Sequence, residues 1–211
     1  MPNITGPSLS FPSRSFPGQQ AGAPSGVAGE LLLSELLGKY STLVKSGKVF
    51  YTSASVTAPV IFSTAAQLGP MLWNKPGSGI DAHIIGVAVG EPSTATTVAG
   101  SIGLSTNVQP SAPTTATAIT AVNAYSSGGA SQMAGVFSTA TVLVTNPVPI
   151  YLPLIGVAGA AITVGNTVTT SFLDIGGLVV VGPGSVGYVC AGGTLTTGVF
   201  QLGLVWAELN V

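Results

Sequence analysis

The sequence predicts an all-β protein: an antiparallel β-sandwich, jelly-roll-like, with an extended N-terminal arm and one short helix. Three observations predict it. Short runs rich in Val, Ile, Thr and aromatic residues recur along the chain, separated by Gly- and Pro-containing turns. No helical periodicity lies between those runs after residue 40. Polarity is carried by Thr, Ser, Asn and Gln rather than by charge. Charged residues are 5% of the 211-residue chain, against about 25% in a typical soluble protein.

The elements follow in order. Residues 1–28 hold Pro2, Pro7, Pro12, Pro17 and Pro24 among many Ser and Gly. This composition reads as an extended arm. Residues 29–40 form the one convincing helix. Leu32, Leu33, Leu36 and Leu37 fall on a single apolar stripe, Glu30 suits the positive N-terminal end of the helix dipole, and Gly38 and Lys39 suit the other end. So short a helix must pack on something to persist.

The β-domain occupies residues 41–211. Strands are expected at 49–56, 60–62, 80–90, 96–105, 136–145, 150–157, 161–164, 167–172, 178–181, 185–190 and 199–209. Residues 74–79 and 182–184 are dense Gly/Pro turns, Asn146-Pro147 closes a strand, and Gly165-Asn166 makes a further turn. Residues 109–117 read as a Pro/Ser/Thr loop and 118–134 as a long polar surface loop. With roughly eight to ten strands and no helices between them, a sandwich or a barrel is expected. A jelly roll, which needs about eight strands in two sheets, fits the number. The pattern leaves strand order open.

Charge narrows the function classes. The net charge is −1, so there is no basic face for nucleic acid. Between Pro92 and Leu173 there is no Asp, Glu, Lys or Arg. A surface so poor in charge does little to keep molecules apart, and it suits faces that neighbouring subunits cover. Disorder does not suit a chain that is 46% hydrophobic.

Mean hydropathy is +0.62, but no membrane helix is expected. The most apolar stretch, 148–165, contains Pro149 and Pro153 and has no flanking Lys or Arg. Tyr and Trp are too few for the two girdles of a membrane barrel. The start, Met1 to Gly6, lacks the basic and apolar segments of a secretory signal, so Asn3-Ile4-Thr5 reads as a chance sequon.

Candidates for chemistry are few. The chain has five basic and six acidic residues, one His and one Cys. Asp81 and His83 share a strand face, which suits a hydrogen-bonded pair on a surface or interface; a zinc site would need more ligands, for which the remaining source is a symmetry axis. Cys190 is alone and sits in an apolar run, so it reads as a small hydrophobe with no disulfide partner. Neither Gly182-Pro183-Gly184-Ser185 nor Lys75-Pro76-Gly77-Ser78-Gly79 matches a nucleophile elbow or a phosphate loop. Lys45 and Lys48 read as a solvated turn or an exposed edge. Trp73 and Trp206 are either core residues or interface anchors. No catalytic residue, metal or cofactor is assigned, and an enzyme is not expected.

Several stretches resemble accessory virion proteins of tailed bacteriophages. They are Gly47-Lys48-Val49-Phe50, then Leu72 to Gly79 leading into Ile84-Ile85-Gly86-Val87, and finally Gly182-Pro183-Gly184-Ser185 followed by Val205-Trp206-Ala207-Glu208-Leu209. The similarity covers the layout of residues 40–211 and consists of turn and strand-edge signatures. It implies a β-sandwich or jelly roll, often a homotrimer, that cements or decorates a phage capsid or anchors fibres at its vertices.

The expected function is therefore a structural protein of the virion, made in the host cytoplasm. Its partners would be copies of itself and the major capsid protein, with no role for nucleic acid or membrane. Leu32, Leu33, Leu36, Leu37, Trp73 and Trp206 are the candidate interface residues. The alternatives are the major capsid protein of a small virus with a single jelly roll, and a fibre or receptor-binding module. Arg14 is the sole basic residue of the arm, which favours the accessory role over a shell that packs nucleic acid.

Overall fold

A computed structural model of the protein describes residues 39–57, 66–90, 100–141, 149–157, 170–192 and 199–211. The described residues from 43 onward belong to one compact unit. A short helix, α1 (Ser41–Lys45), leads into β1 (Val49–Thr57), β2 (Ala66–Asn74), β3 (Ile80–Gly90) and β4 (Gly100–Val108). Three short strands follow: β5 (Thr114–Ala118), β6 (Val122–Asn123) and β7 (Gly135–Thr141). The last four are β8 (Pro149–Val157), β9 (Thr170–Val181), β10 (Ser185–Gly192) and β11 (Val199–Asn210).

These strands form two antiparallel sheets, ordered β6-β1-β11-β3-β9 and β5-β7-β2-β10-β4-β8. The protein is thus an all-β sandwich, as its turn-separated apolar runs predict. Successive long strands alternate between the sheets: β1 in the first, β2 in the second, β3 in the first, β4 in the second. The last two strands take central places. β11 pairs with β1 from Val49↔Ala207 to Thr57↔Val199 and with β3 from Gln201↔Gly90 to Asn210↔Ile80. β10 pairs with both β2 and β4 in the other sheet.

The core lies between the sheets. Phe50, Ala54 and Val56 of β1 and Phe200, Leu202, Leu204 and Trp206 of β11 meet Leu72 of β2, Ile102 and Leu104 of β4 and Val189 of β10. Their even spacing on each strand is the alternation of a half-buried sheet. Complete burial of a side chain of this size contributes about 1.5–3 kcal/mol. A smaller cluster, Met71, Ala140, Val186 and Tyr188 with Trp73 and Phe137, is separate from it. Met71 and Trp73 flank the core residue Leu72 in β2, so they point to the opposite face of that sheet.

Bulges change the phase of two strands. In β3, Ile80, Ala82 and Ile84 face the core, but after Ile85 the core residues are Val87 and Val89. The register shift between Val205 and Trp206 of β11 skips Ile85, which is the extra residue. On the other side, Ile84 pairs with Val179 and Gly86 with Asp174, so residues 175–178 bulge out of β9. Gly176 (φ 69°) and Gly177 (φ 81°) make that bulge possible, since L side chains rarely adopt such angles. Residues 167–172 and 178–181, expected as two strands, thus fall in part on one bent strand. Within 178–181 only Val179 and Val181 belong to the core, while Leu178 and Val180 are exposed.

β2 was not expected from the sequence. Gly69-Pro70 interrupts its alternation, and its pairing with β7 shifts register between Leu68 and Met71. The segments 109–117 and 118–134, read from the sequence as loops, carry two short strands. Residues 114–118 add β5 to the six-stranded sheet, and 122–123 add β6 beside β1. The excursion from β5 to β7 therefore passes from one sheet to the other and back. Met133 and Val136 are buried in the core, with Ile119 and Ala121 packed against it. Residues 60–62, 146–147 and 161–166 lie outside the described residues, as do the arm 1–28 and the helix region 29–38 with Leu32, Leu33, Leu36 and Leu37. Lys39 and Tyr40, the end of the expected helix, form a turn. Among the described residues no helix is long and apolar enough to cross a membrane.

One end of the sandwich is pinned by Asn74, which is fully buried. Its Nδ2 donates to the carbonyls of Ile80 (2.7 Å) and Val181 (3.0 Å), joining β2 of one sheet to β3 and β9 of the other. The backbone carbonyl of Asn74 accepts from Gly184 N–H (2.8 Å), and the Gly184 carbonyl accepts from Gln109 N–H (2.6 Å).

Asn74→Ala leaves two buried carbonyls without their donor and should lower unfolding free energy by about 1–3 kcal/mol in denaturant titrations. Asn74→Asp, which turns a carboxylate toward those same carbonyls, should cost more than Ala. Removal of residues 199–211 takes away the partner shared by β1 and β3, and thermal melting of the truncated chain should lose its cooperative transition.

Candidate functional site

A concavity lies where the chain enters β1. α1 ends in a Schellman-type closure: Gly47 N–H donates to the Val44 carbonyl (2.9 Å) and Lys48 N–H to the Leu43 carbonyl (3.1 Å). Gly47, at φ 69°, supplies the left-handed residue that this closure requires. Ser46 Oγ also donates to the Leu43 carbonyl (2.8 Å). The motif therefore sets Lys45 on the last helical turn and Lys48 at the start of the strand. The segment read from sequence as a solvated turn or an exposed edge is an exposed turn that closes a helix and forms one wall of a pocket.

The opposite wall is the segment after β6. Asn123 organises it. Its Nδ2 donates to the carbonyls of Gly47 and Gly129, each at 2.9 Å, and its Oδ1 accepts from Tyr125 N–H at 2.9 Å. Gly128 lies flat against this amide; a Cβ there would come within 2.4 Å of Asn123 Cγ, which leaves room for glycine alone. The resulting cavity has a volume of about 350 Å³ and is lined in part by Lys45, Lys48, Tyr125, Ser127, Gln132 and Glu208.

Glu208, only 3% exposed, anchors the floor. Its Oε1 accepts from Ser131 Oγ and from Trp206 Nε1 (3.0 Å), and its Oε2 accepts from Gln132 N–H (2.8 Å). Three donors compensate the desolvation of the carboxylate. Glu208 thus ties the 131–132 segment to β11. Trp206, in turn, stacks on Phe50 with centroids 5.9 Å apart.

The residues singled out by sequence separate in space. Asp81 and His83 do share a face of β3, both part-exposed, with Leu209 opposite Asp81 and Ala207 and Val180 opposite His83. Those neighbours are apolar, and no group of three or more metal-ligating side chains occurs among the described residues. Trp73 is part-buried and donates from Nε1 to the Gln109 carbonyl (2.9 Å). Trp206 requires a correction. As a candidate interface anchor it would have to be accessible, yet it is completely buried between the sheets. Cys190 lies on β10 opposite Gly103. Leu32, Leu33, Leu36 and Leu37 lie outside the described residues.

Sequence reasoning missed the pocket, whose walls come from segments some eighty residues apart. The signal that could have pointed to it is the pair of Lys residues around Ser46-Gly47 in a chain with so few charges.

Replacing Glu208 by Ala should leave the buried Trp206 Nε1 without its acceptor and lower stability by about 3 kcal/mol. Hydrogen exchange at the Gln132 amide should accelerate in the same variant, while Glu208→Gln, which keeps the shape, should be milder on both measures. No family model, no curated protein and no solved structure matches the chain.

Proposed function

We propose that the chain is a structural protein of a virus particle, a self-associating jelly-roll module that binds a phage capsid and stabilises or decorates it. The observation that carries this reading is the outer aspect of β9. This strand ends the five-stranded sheet, and it presents Leu178 (83% exposed), Phe172 (58%) and Val180 (40%). A row of large apolar side chains on an edge strand favours association with another protein surface. A near-neutral chain offers little repulsion against it.

The strand order supports the jelly-roll part of the reading. Without the β5–β7 excursion, the sheets run β1-β11-β3-β9 and β2-β10-β4-β8. An eight-stranded double sheet of this kind is in keeping with the jelly rolls of viral capsids and lectins. The same order favours a second reading, in which the chain is itself the shell protein of a small virus. Copy number per particle separates the two: a shell protein builds the whole lattice, an accessory protein occupies selected sites.

Light scattering of the purified full chain without detergent should give the mass of a closed oligomer, with a trimer expected. Leu178→Asp should lower that mass while leaving the unfolding midpoint nearly unchanged, within about 0.5 kcal/mol, because the side chain makes few contacts within its own subunit. A monomeric parent chain would remove the self-association on which the proposal rests.

A further inference from the structure

We infer that the pocket between the α1–β1 turn and the 125–132 segment binds an acidic sugar: a monoanionic ligand of monosaccharide size, of the uronic-acid class. The inference stands on the pocket alone and does not depend on the assembly reading.

Charge is the first argument. The chain has four lysines, and two of them, Lys45 and Lys48, line this one pocket. The acid in the wall, Glu208, does not cancel both. It is a single carboxylate whose two oxygens already receive three hydrogen bonds from Ser131, Gln132 and Trp206. Two lysines against one committed carboxylate leave the lining with a surplus of one positive charge, and a lysine serves as a point-charge donor to an anion.

Size and lining supply the second argument. A volume of about 350 Å³ lies at the small end of ligand sites, which span about 300–1,000 Å³. Apart from the lysines, the lining includes Ser127, Gln132 and glycines, residue types whose hydroxyl, amide and backbone groups bond to hydroxyls. Tyr125, 43% exposed at the rim, provides an amphipathic ring against which the apolar face of a pyranose can lie. A bare inorganic anion would use the lysines and leave Tyr125, Ser127 and Gln132 without a role. A neutral sugar would leave the lysines without one. A sugar carboxylate uses both sets.

The pocket is also built before any ligand arrives. Asn123 ties its two walls together through Gly47 and Gly129, and the helix closure fixes the lysine-bearing turn. Pre-formed walls reduce the ordering cost of binding.

The test is a titration of the isotopically labelled full chain by amide NMR, with sodium glucuronate as probe and glucose and acetate as controls. Glucuronate should give saturable shifts concentrated at residues 45–48 and 125–132, with affinity at least about tenfold above either control. Lys48→Gln, at the part-buried position, should weaken binding at least about fivefold, the worth of one charge-assisted contact. Lys45→Gln, at the exposed position, should weaken it about two- to fivefold. Unchanged amide signals elsewhere confirm that each variant is folded. Higher salt should weaken glucuronate binding. The inference is overturned by any of four results: no saturation with glucuronate, shifts confined to another region, binding of acetate or glucose as tight as glucuronate, or full affinity in both folded lysine variants.

Discussion

The fold depends on the insertion of its last two strands into the middle of its two sheets. β1 and β3 do not pair with each other; each pairs with β11. β2 and β4 likewise meet through β10. β1, β2 and β3 therefore meet β11 or β10 more than a hundred positions further along the chain, and β4 meets β10 77–91 positions further on. Such contacts carry a large loop-closure entropy before they return any stabilisation. The core follows the same plan, because Phe200, Leu202, Leu204 and Trp206 of β11 form its central row.

That arrangement also explains how an excursion as polar as residues 109–134 can be ordered. β6, within the segment, and β7, which follows it, continue the two sheets beyond β1 and β2, and the segment buries Met133 in the core beside Val136 of β7. Glu208 fastens it from the far side, through Ser131 and Gln132. The residue does this from β11, so the strand that completes the first sheet also positions the pocket floor. In a chain with few charges, this one is spent on a structural tie between distant segments, where a carboxylate accepts several donors at once.

Scarcity of charge gives the outer surface its character too. Edge strands in monomeric proteins are commonly protected by lysine, proline or a bulge. β9 has the bulge, at Gly176-Gly177, but the residue raised by it is Leu178. The bulge bends the strand and at the same time displays an apolar side chain, which is consistent with a surface meant to be covered.

The sequence by itself determined the fold class and most strand positions. Alternating apolar residues in 49–56, 80–90 and 199–209, and the Gly/Pro clusters at 74–79 and 182–184, act through local sterics and side-chain periodicity, which neighbours in the chain suffice to define. It could not reveal β2, where Gly69-Pro70 masks the period, nor the phase change at Ile85, since a bulge is defined by the partner strand. It also left Trp206 between core and interface, and only the facing sheet placed it inside. Strand order, the Asn74 clamp and the pocket of Lys45, Lys48, Tyr125 and Glu208 were decided by tertiary structure alone. Each joins segments far apart in the chain, and no local pattern encodes which distant carbonyl, ring or ammonium a side chain will meet.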